Sequence, residues 1–203
     1  MDEPLSNLDA LLRLQLRAEL KKLVQEVKAT TIYVTHDQVE ALSLGDRIAV
    51  MGAGQIIQCA PPIYVYDRPA TDFVGGFIGS PPMNFLRGRI ERNNGTSQVA
   101  LGDHRLDAPP TLAQAGGQDV IIGIRAENIE ASAQPTADAL PARTEVVEPV
   151  GSHLLITALV GDQRLKLLTR TDFAAASDAP LWIRPEPDKL RWFDAKTGKE
   201  IAS

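Results

Sequence analysis

The chain has 203 residues, 44% of them hydrophobic, with a formal net charge of −5 and one cysteine, Cys59. That length holds one large domain or two small ones, and that composition can bury a core. There is no apolar run long enough to span a bilayer, no metal-ligand spacing around Cys59, and the acidic balance argues against nucleic acid as the main partner.

Leu8, Leu11, Leu12, Leu16, Leu20, Leu23, Val24 and Val27 recur at helical spacing and predict an amphipathic helix over residues 8–28. Ser6 is its expected N-cap, with Asp9 in the first turn. Thr31 to Thr35 reads as a buried strand because β-branched residues crowd it. Residues 37–44 read as a short helix, with Asp37 and Glu40 placed as a capping box. Arg47–Met51 and Gln55–Cys59 flank Gly52-Ala53-Gly54 and predict a hairpin. Pro61-Pro62 break the chain, and short helices are expected up to Asp67 and from about Ala70 to Ile78.

After Gly79-Ser80-Pro81-Pro82 the pattern shortens to strands about ten residues apart. Expected strands are 84–91, 98–101, 120–125, 143–150, 154–159, 164–169, 181–184 and 190–193, which suggests a small barrel or sandwich. Residues 108–118 and 131–142 read as loose connections. His104 reads as part of a polar turn, His153 as a surface residue, and Trp182 and Trp192 as core or dimer-contact residues.

The chemistry-bearing segments are Asp2-Glu3-Pro4-Leu5-Ser6-Asn7-Leu8-Asp9 and Tyr33-Val34-Thr35-His36-Asp37. Taken singly they have plain readings. Asp2-Glu3 suits a solvated acidic end, Ser6 and Asp9 a helix cap, and His36 a structural position between strand and helix. Their joint order and spacing resemble the ATPase subunits of ABC transporters: the end of the Walker B strand, the D-loop and the switch histidine. The resemblance implies Asp2 as a Mg²⁺ ligand, Glu3 as the base for the attacking water, and His36 as the contact to the γ-phosphate. It also implies that Ser6 and Asp9 lie at the nucleotide and the surface of a second ATPase subunit.

The segments 73–85, 123–129, 146–151 and 193–198 are similar to the linker and C-terminal regulatory domain of maltose-type and glycerol-phosphate-type importers. That domain is an OB-fold barrel of the transport-associated (TOBE) type. Ala126 and Asn128 stand where Pro and His are usual there, and Tyr64 where Glu is usual. The implied fold class is α+β: a truncated α/β ATPase-domain remnant over residues 1–80, then an all-β OB-like regulatory barrel over 81–203. The implied function is coupling of ATP hydrolysis to solute uptake in the intact subunit, with Mg²⁺ and ATP as cofactors. The implied partners are a second copy, membrane permease subunits and a regulatory protein, with no nucleic acid. The implied location is cytoplasmic, peripheral to the plasma membrane. The other reading is a regulatory and dimerising module that binds a protein or small ligand through the barrel, with Arg125 and Ser152 as candidate oxyanion contacts against the favoured plain reading of a structural Arg and a turn Ser.

The sequence holds no Gly-x-x-x-x-Gly-Lys-Ser/Thr loop and no Leu-Ser-Gly-Gly-Gln signature. Without the backbone N–H groups and lysine of the first, these residues alone are expected neither to hold a triphosphate tightly nor to hydrolyse it.

Overall fold

The structure is a computed structural model and describes residues 1–5, 8–93, 96–136 and 138–202. The chain separates into two compact units, Met1–Asp67 and Arg68–Ser203. The fold class is α+β.

In the first unit, helix α1 (Ala10–Val27) starts two residues later than the apolar spacing predicts. Its N-cap is Asp9, whose Oδ1 accepts from the Leu11 and Leu12 amides at 3.1 and 3.0 Å. Ser6, the expected cap, lies outside the described residues. The helix ends at Lys28 in the left-handed region, φ 54°. Helix α2 (Gln38–Leu44) is capped by Asp37 as expected. Strands β1 (Ile48–Gly52) and β2 (Gln55–Ala60) form the predicted hairpin. Its turn carries Ala53 and Gly54 at φ 48° and 76°, both positive as a type I′ turn requires. Helix α3 (Pro62–Asp67) closes the unit.

The expected buried strand at Thr31–Thr35 is a correction. Ile32 and Val34 are exposed, and the segment makes one parallel bridge, Asp2 to Val34, instead of a regular strand. Its partner segment is the three residues Met1–Glu3, with three bonds: Met1 N to Ile32 O at 3.0 Å, and Val34 N to Met1 O and Glu3 N to Val34 O, both 2.9 Å. That is too short to bury a β-branched run.

The second unit begins with helix α3's successor, α4 (Asp72–Phe77), capped by Thr71. It continues through β3 (Asn84–Asn93), β4 (Thr96–Leu101), β5 (His104–Asp107), β6 (Asp119–Ile124) and β7 (Ile129–Ser132). Then follow β8 (Leu140–Pro149), β9 (His153–Val160), β10 (Gln163–Arg170), β11 (Pro180–Pro185), β12 (Arg191–Asp194) and β13 (Glu200–Ala202). Three of these were not expected: β5, where His104 starts a strand and not a turn, β7, and β13. Each is short and lies next to an edge or at one, so it shows too few alternating residues to stand out.

A five-stranded sheet runs β10-β9-β8-β11-β7, and a six-stranded sheet runs β13-β12-β6-β3-β4-β5. Inward residues alternate as the pleat demands: Leu165 and Leu167 on β10, Leu181 and Ile183 on β11, Ile122 and Ile124 on β6. They share one core with Leu86, Ile90, Ile156 and Trp192. Each such side chain contributes about 1.5–3 kcal/mol by leaving water. Trp182 is half-buried. On the other face of the six-stranded sheet, Met83, Ile121 and Phe193 form a second small cluster. Gly123 is required there: a Cβ would meet Met83 Sδ and Phe193 Cε2 at 2.7 Å.

Asn84 ties the two sheets together. It is buried, its Nδ2 donates to the Ile124 and Lys166 carbonyls at 3.1 and 2.7 Å, and its Oδ1 accepts from Lys166 N at 2.6 Å. Nothing in the spacing of the sequence marks this residue.

Candidate functional site

The residues singled out in the sequence converge in the first unit. The backbone of Asp2 lies beside Val34 through the parallel bridge. That pairing places the next residue, Glu3, opposite the turn that carries His36. Glu3 Oε1 and His36 Nδ1 are 2.8 Å apart, a hydrogen bond between groups 33 residues apart in sequence. The Glu3 carboxylate, first through this bond and then through its charge, raises the His36 pKa above its ordinary value. His36 remains largely exposed, so its ring is open to a ligand. Glu3 itself has φ 42°, a left-handed conformation that a β-branched residue would resist.

Asp9 sits one helix away as the N-cap of α1, with its Oδ1 committed to two amides. Glu40 is not the second arm of a capping box. Its side chain turns inward and is 2% exposed. Its Oε2 accepts from Tyr33 OH at 2.9 Å and from Thr35 Oγ1 at 2.8 Å. Burial, then the Glu40 carboxylate, pushes the Tyr33 hydroxyl far above its ordinary pKa, so it stays a proton donor. Arg13 on α1 approaches Glu40 at 3.9 Å and Asp37 at 3.4 Å. Sequence reasoning missed this network. The available signal was an acid at position 40 among Val39, Ala41 and Leu42, with Arg13 and Arg17 one turn apart on the preceding helix.

Asp2 and Glu3 offer carboxylates and His36 an imidazole, the side-chain types that the metal and γ-phosphate side of a nucleotide site calls for. Mg²⁺ takes one or two protein carboxylates and completes its shell with water and phosphate oxygens, which suits a single aspartate. A glutamate at a histidine in hydrogen-bond range suits proton transfer from water. The triphosphate itself needs a cradle of backbone N–H groups, and the 203 residues contain no such loop.

In the second unit the oxyanion candidates resolve differently. Arg125 is buried, and its Nη1 donates to the Gly75 carbonyl at 3.2 Å and to that of Ile78. It holds the end of α4 onto β6 and faces no solvent. Ser152 is exposed and its hydroxyl lies 2.9 Å from His153 Nδ1. Among the described residues, no group of three or more His, Cys, Asp or Glu gathers as a metal site, and no helix is long and apolar enough to cross a membrane. An open concavity of about 600 Å³ lies over β3, β4 and the 3-10 turn at 110–115, lined by Arg89, Glu91, Arg92 and Arg105 among others. Arg105 pairs with Glu91 at 2.8 Å.

Residues 79–129 match the MalK OB fold domain, and residues 122–193 match the TOBE domain. The trehalose/maltose import ATP-binding protein MalK of Thermococcus litoralis is 43% identical over 212 residues, covering 99% of this chain and 56% of that protein. The sn-glycerol-3-phosphate import ATP-binding protein UgpC of Escherichia coli is 39% identical over 200 residues, covering 98% of this chain and 56% of that protein. An uncharacterized ABC transporter ATP-binding protein, y4oS of Sinorhizobium fredii, is 42% identical, covering 99% and 53%. The chain spans about half the length of the curated relatives it matches. A solved structure of the cytoplasmic molybdate-binding protein ModG aligns with a TM-score of 0.43 at 11% identity, over 54% of this chain and 94% of that one.

Proposed function

We propose that this chain, which belongs to the ATP-binding subunits of ABC importers of the maltose and glycerol-phosphate type, carries in its first unit the hydrolytic side of an ATP site. The observation that supports this is the 2.8 Å hydrogen bond between Glu3 and His36. In this reading Asp2 holds the Mg²⁺ that accompanies ATP, Glu3 takes a proton from the attacking water at its carboxylate, and His36 presents its ring N–H to a phosphate oxygen. Bound Mg²⁺ supplies neutralisation of the charge on the transferred phosphoryl group. Asp9, the N-cap of α1, lies on the face that meets a second copy. The phosphate-cradling loop comes from outside these 203 residues. ATP-driven closure of two copies at the cytoplasmic face of the membrane then moves permease subunits that pass a sugar or glycerol-phosphate solute.

A second reading concerns residues 68–203 alone. The concavity with Arg89, Arg92 and Arg105 has Glu91 as the one acid among its lining residues. That balance favours an anionic small ligand or an acidic patch on a regulatory protein.

The test is a chimaera in which this chain replaces the matching segment of the Thermococcus litoralis protein. ATP hydrolysis by the chimaera, reduced at least about 100-fold by Glu3→Gln and by His36→Ala, is the expected result. Hydrolysis that survives both substitutions overturns the assignment.

A further inference from the structure

We infer that Glu40 is the positioning residue of the His36 turn, and that through Arg13 it holds helix α1 and that turn as one body. The inference rests on the reading above for what His36 does, but its geometry stands separately.

The His36 ring is 73% exposed, so packing does not orient it. What fixes its backbone is the pair of residues on either side. Thr35 Oγ1 accepts from the Asp37 amide at 2.9 Å, closing a loop around His36. The same hydroxyl donates its only proton to Glu40 at 2.8 Å. Asp37 Oδ1 in turn accepts from Val39 and from the Glu40 amide, at 2.8 and 3.1 Å. Both flanks of His36 therefore lead to Glu40, one through its side chain and one through its backbone. Tyr33, two residues before Thr35, makes a third attachment to the same carboxylate oxygen.

A buried carboxylate loses its hydration, a penalty that bonds and a counter-charge must offset. Leucine or methionine would fill the site without that penalty. Three features offset it here: two hydroxyl donors, and the Arg13 guanidinium 3.9 Å away. Arg13 also reaches the Leu8 carbonyl at 3.0 Å and Asp37 at 3.4 Å. It therefore spans from the turn before α1, where Asp9 caps the helix, to both acids that hold the His36 turn. A displacement of the Asp9 end is passed to His36 through a short, charged linkage. Glu40 touches neither substrate nor reacting atoms in this arrangement. It acts through Thr35 and Asp37.

The experiment uses the 203-residue chain and reads the side-chain ¹⁵N shifts of His36 at one fixed pH. Glu3→Gln defines the shift without the Glu3 hydrogen bond. Glu40→Leu is expected to move His36 to that reference value. Glu40→Gln, whose amide oxygen still accepts from Tyr33 and Thr35, is expected to keep the parent shift. Ala41→Gly weakens α2 without touching the network, and is expected to keep it as well. A parent-like shift in Glu40→Leu overturns the inference. So does a loss in Glu40→Gln, or a loss in Ala41→Gly as complete as in Glu40→Leu, since helix content would then be the cause. Because no nucleotide enters this measurement, a chimaera that fails to hydrolyse ATP while the shifts follow Glu40 sinks the functional reading and leaves this one standing.

Discussion

Helix α1 and strand β10 each carry an apolar face, one at helical and one at strand spacing, with opposite outcomes. On α1, Leu11, Leu14, Leu23 and Val27 are exposed, while on β10, Leu165 and Leu167 are buried in the core shared by two sheets. The difference lies in where the covering surface is encoded. The second unit brings its own cover, since β3, β4 and β6 of one sheet face β9, β10 and β11 of the other. The first unit's described buried apolar residues are Leu5, Ile48, Val50 and Val65, none of them on α1. Periodicity reports that a face is apolar and does not report what meets it.

Stability should follow this contrast. Ile156→Ala, at a fully buried β9 position, is expected to lose about 2–5 kcal/mol in urea denaturation. Leu14→Ala on α1 is expected to stay within about 0.5 kcal/mol. Equal losses would erase the distinction between the two regions.

Next in size is Arg125→Ala. It leaves the Gly75 and Ile78 carbonyls without their charged donor, and a loss of about 3 kcal/mol is expected by the same denaturation. An unchanged midpoint would return Arg125 to the pool of candidate ligand contacts.

Asp37→Ala removes the cap of α2 and is expected to cost about 1 kcal/mol, read as faster amide exchange at Val39 and Glu40. Burial works against the Asp37 charge, but the Glu40 and Val39 amides with Arg17 and Arg13 outweigh it and hold the carboxyl below its ordinary pKa. Its contribution is therefore present above the unfolded carboxyl pKa and is lost as pH falls through the lower folded value.

The smallest effect belongs to His36. Its pKa is raised by the Glu3 hydrogen bond, so the contact contributes fully below the ordinary imidazole pKa and fades as pH rises through the folded value. An NMR titration should show this raised midpoint, and Glu3→Gln should bring it back toward the ordinary value. A parent midpoint already at the ordinary value would remove the pairing.

Much of this was legible in the sequence, for reasons that can be named. Gly52-Ala53-Gly54 demanded a turn with positive φ, and β9, β10 and β11 alternated clearly enough to be read as strands. The α+β class and the resemblance to importer ATPase subunits followed from segments with distinctive order. What stayed hidden depends on long-range partners. Thr31–Thr35 had the residues of a buried strand, but pairing, not propensity, decides burial. Glu40 looked like a capping residue because its spacing from Asp37 fits one, while its real partners, Tyr33 and Thr35, precede the helix. Asn84 became visible only when β3 met β10 across 82 residues of sequence.

The proposed site is the attacking side of an ATP site without its phosphate cradle. Titration calorimetry of the chain with Mg·ATP, carried to millimolar nucleotide, tests it directly. No saturable heat is expected. Saturable binding with a micromolar constant would contradict it, because a triphosphate site would then exist within these 203 residues.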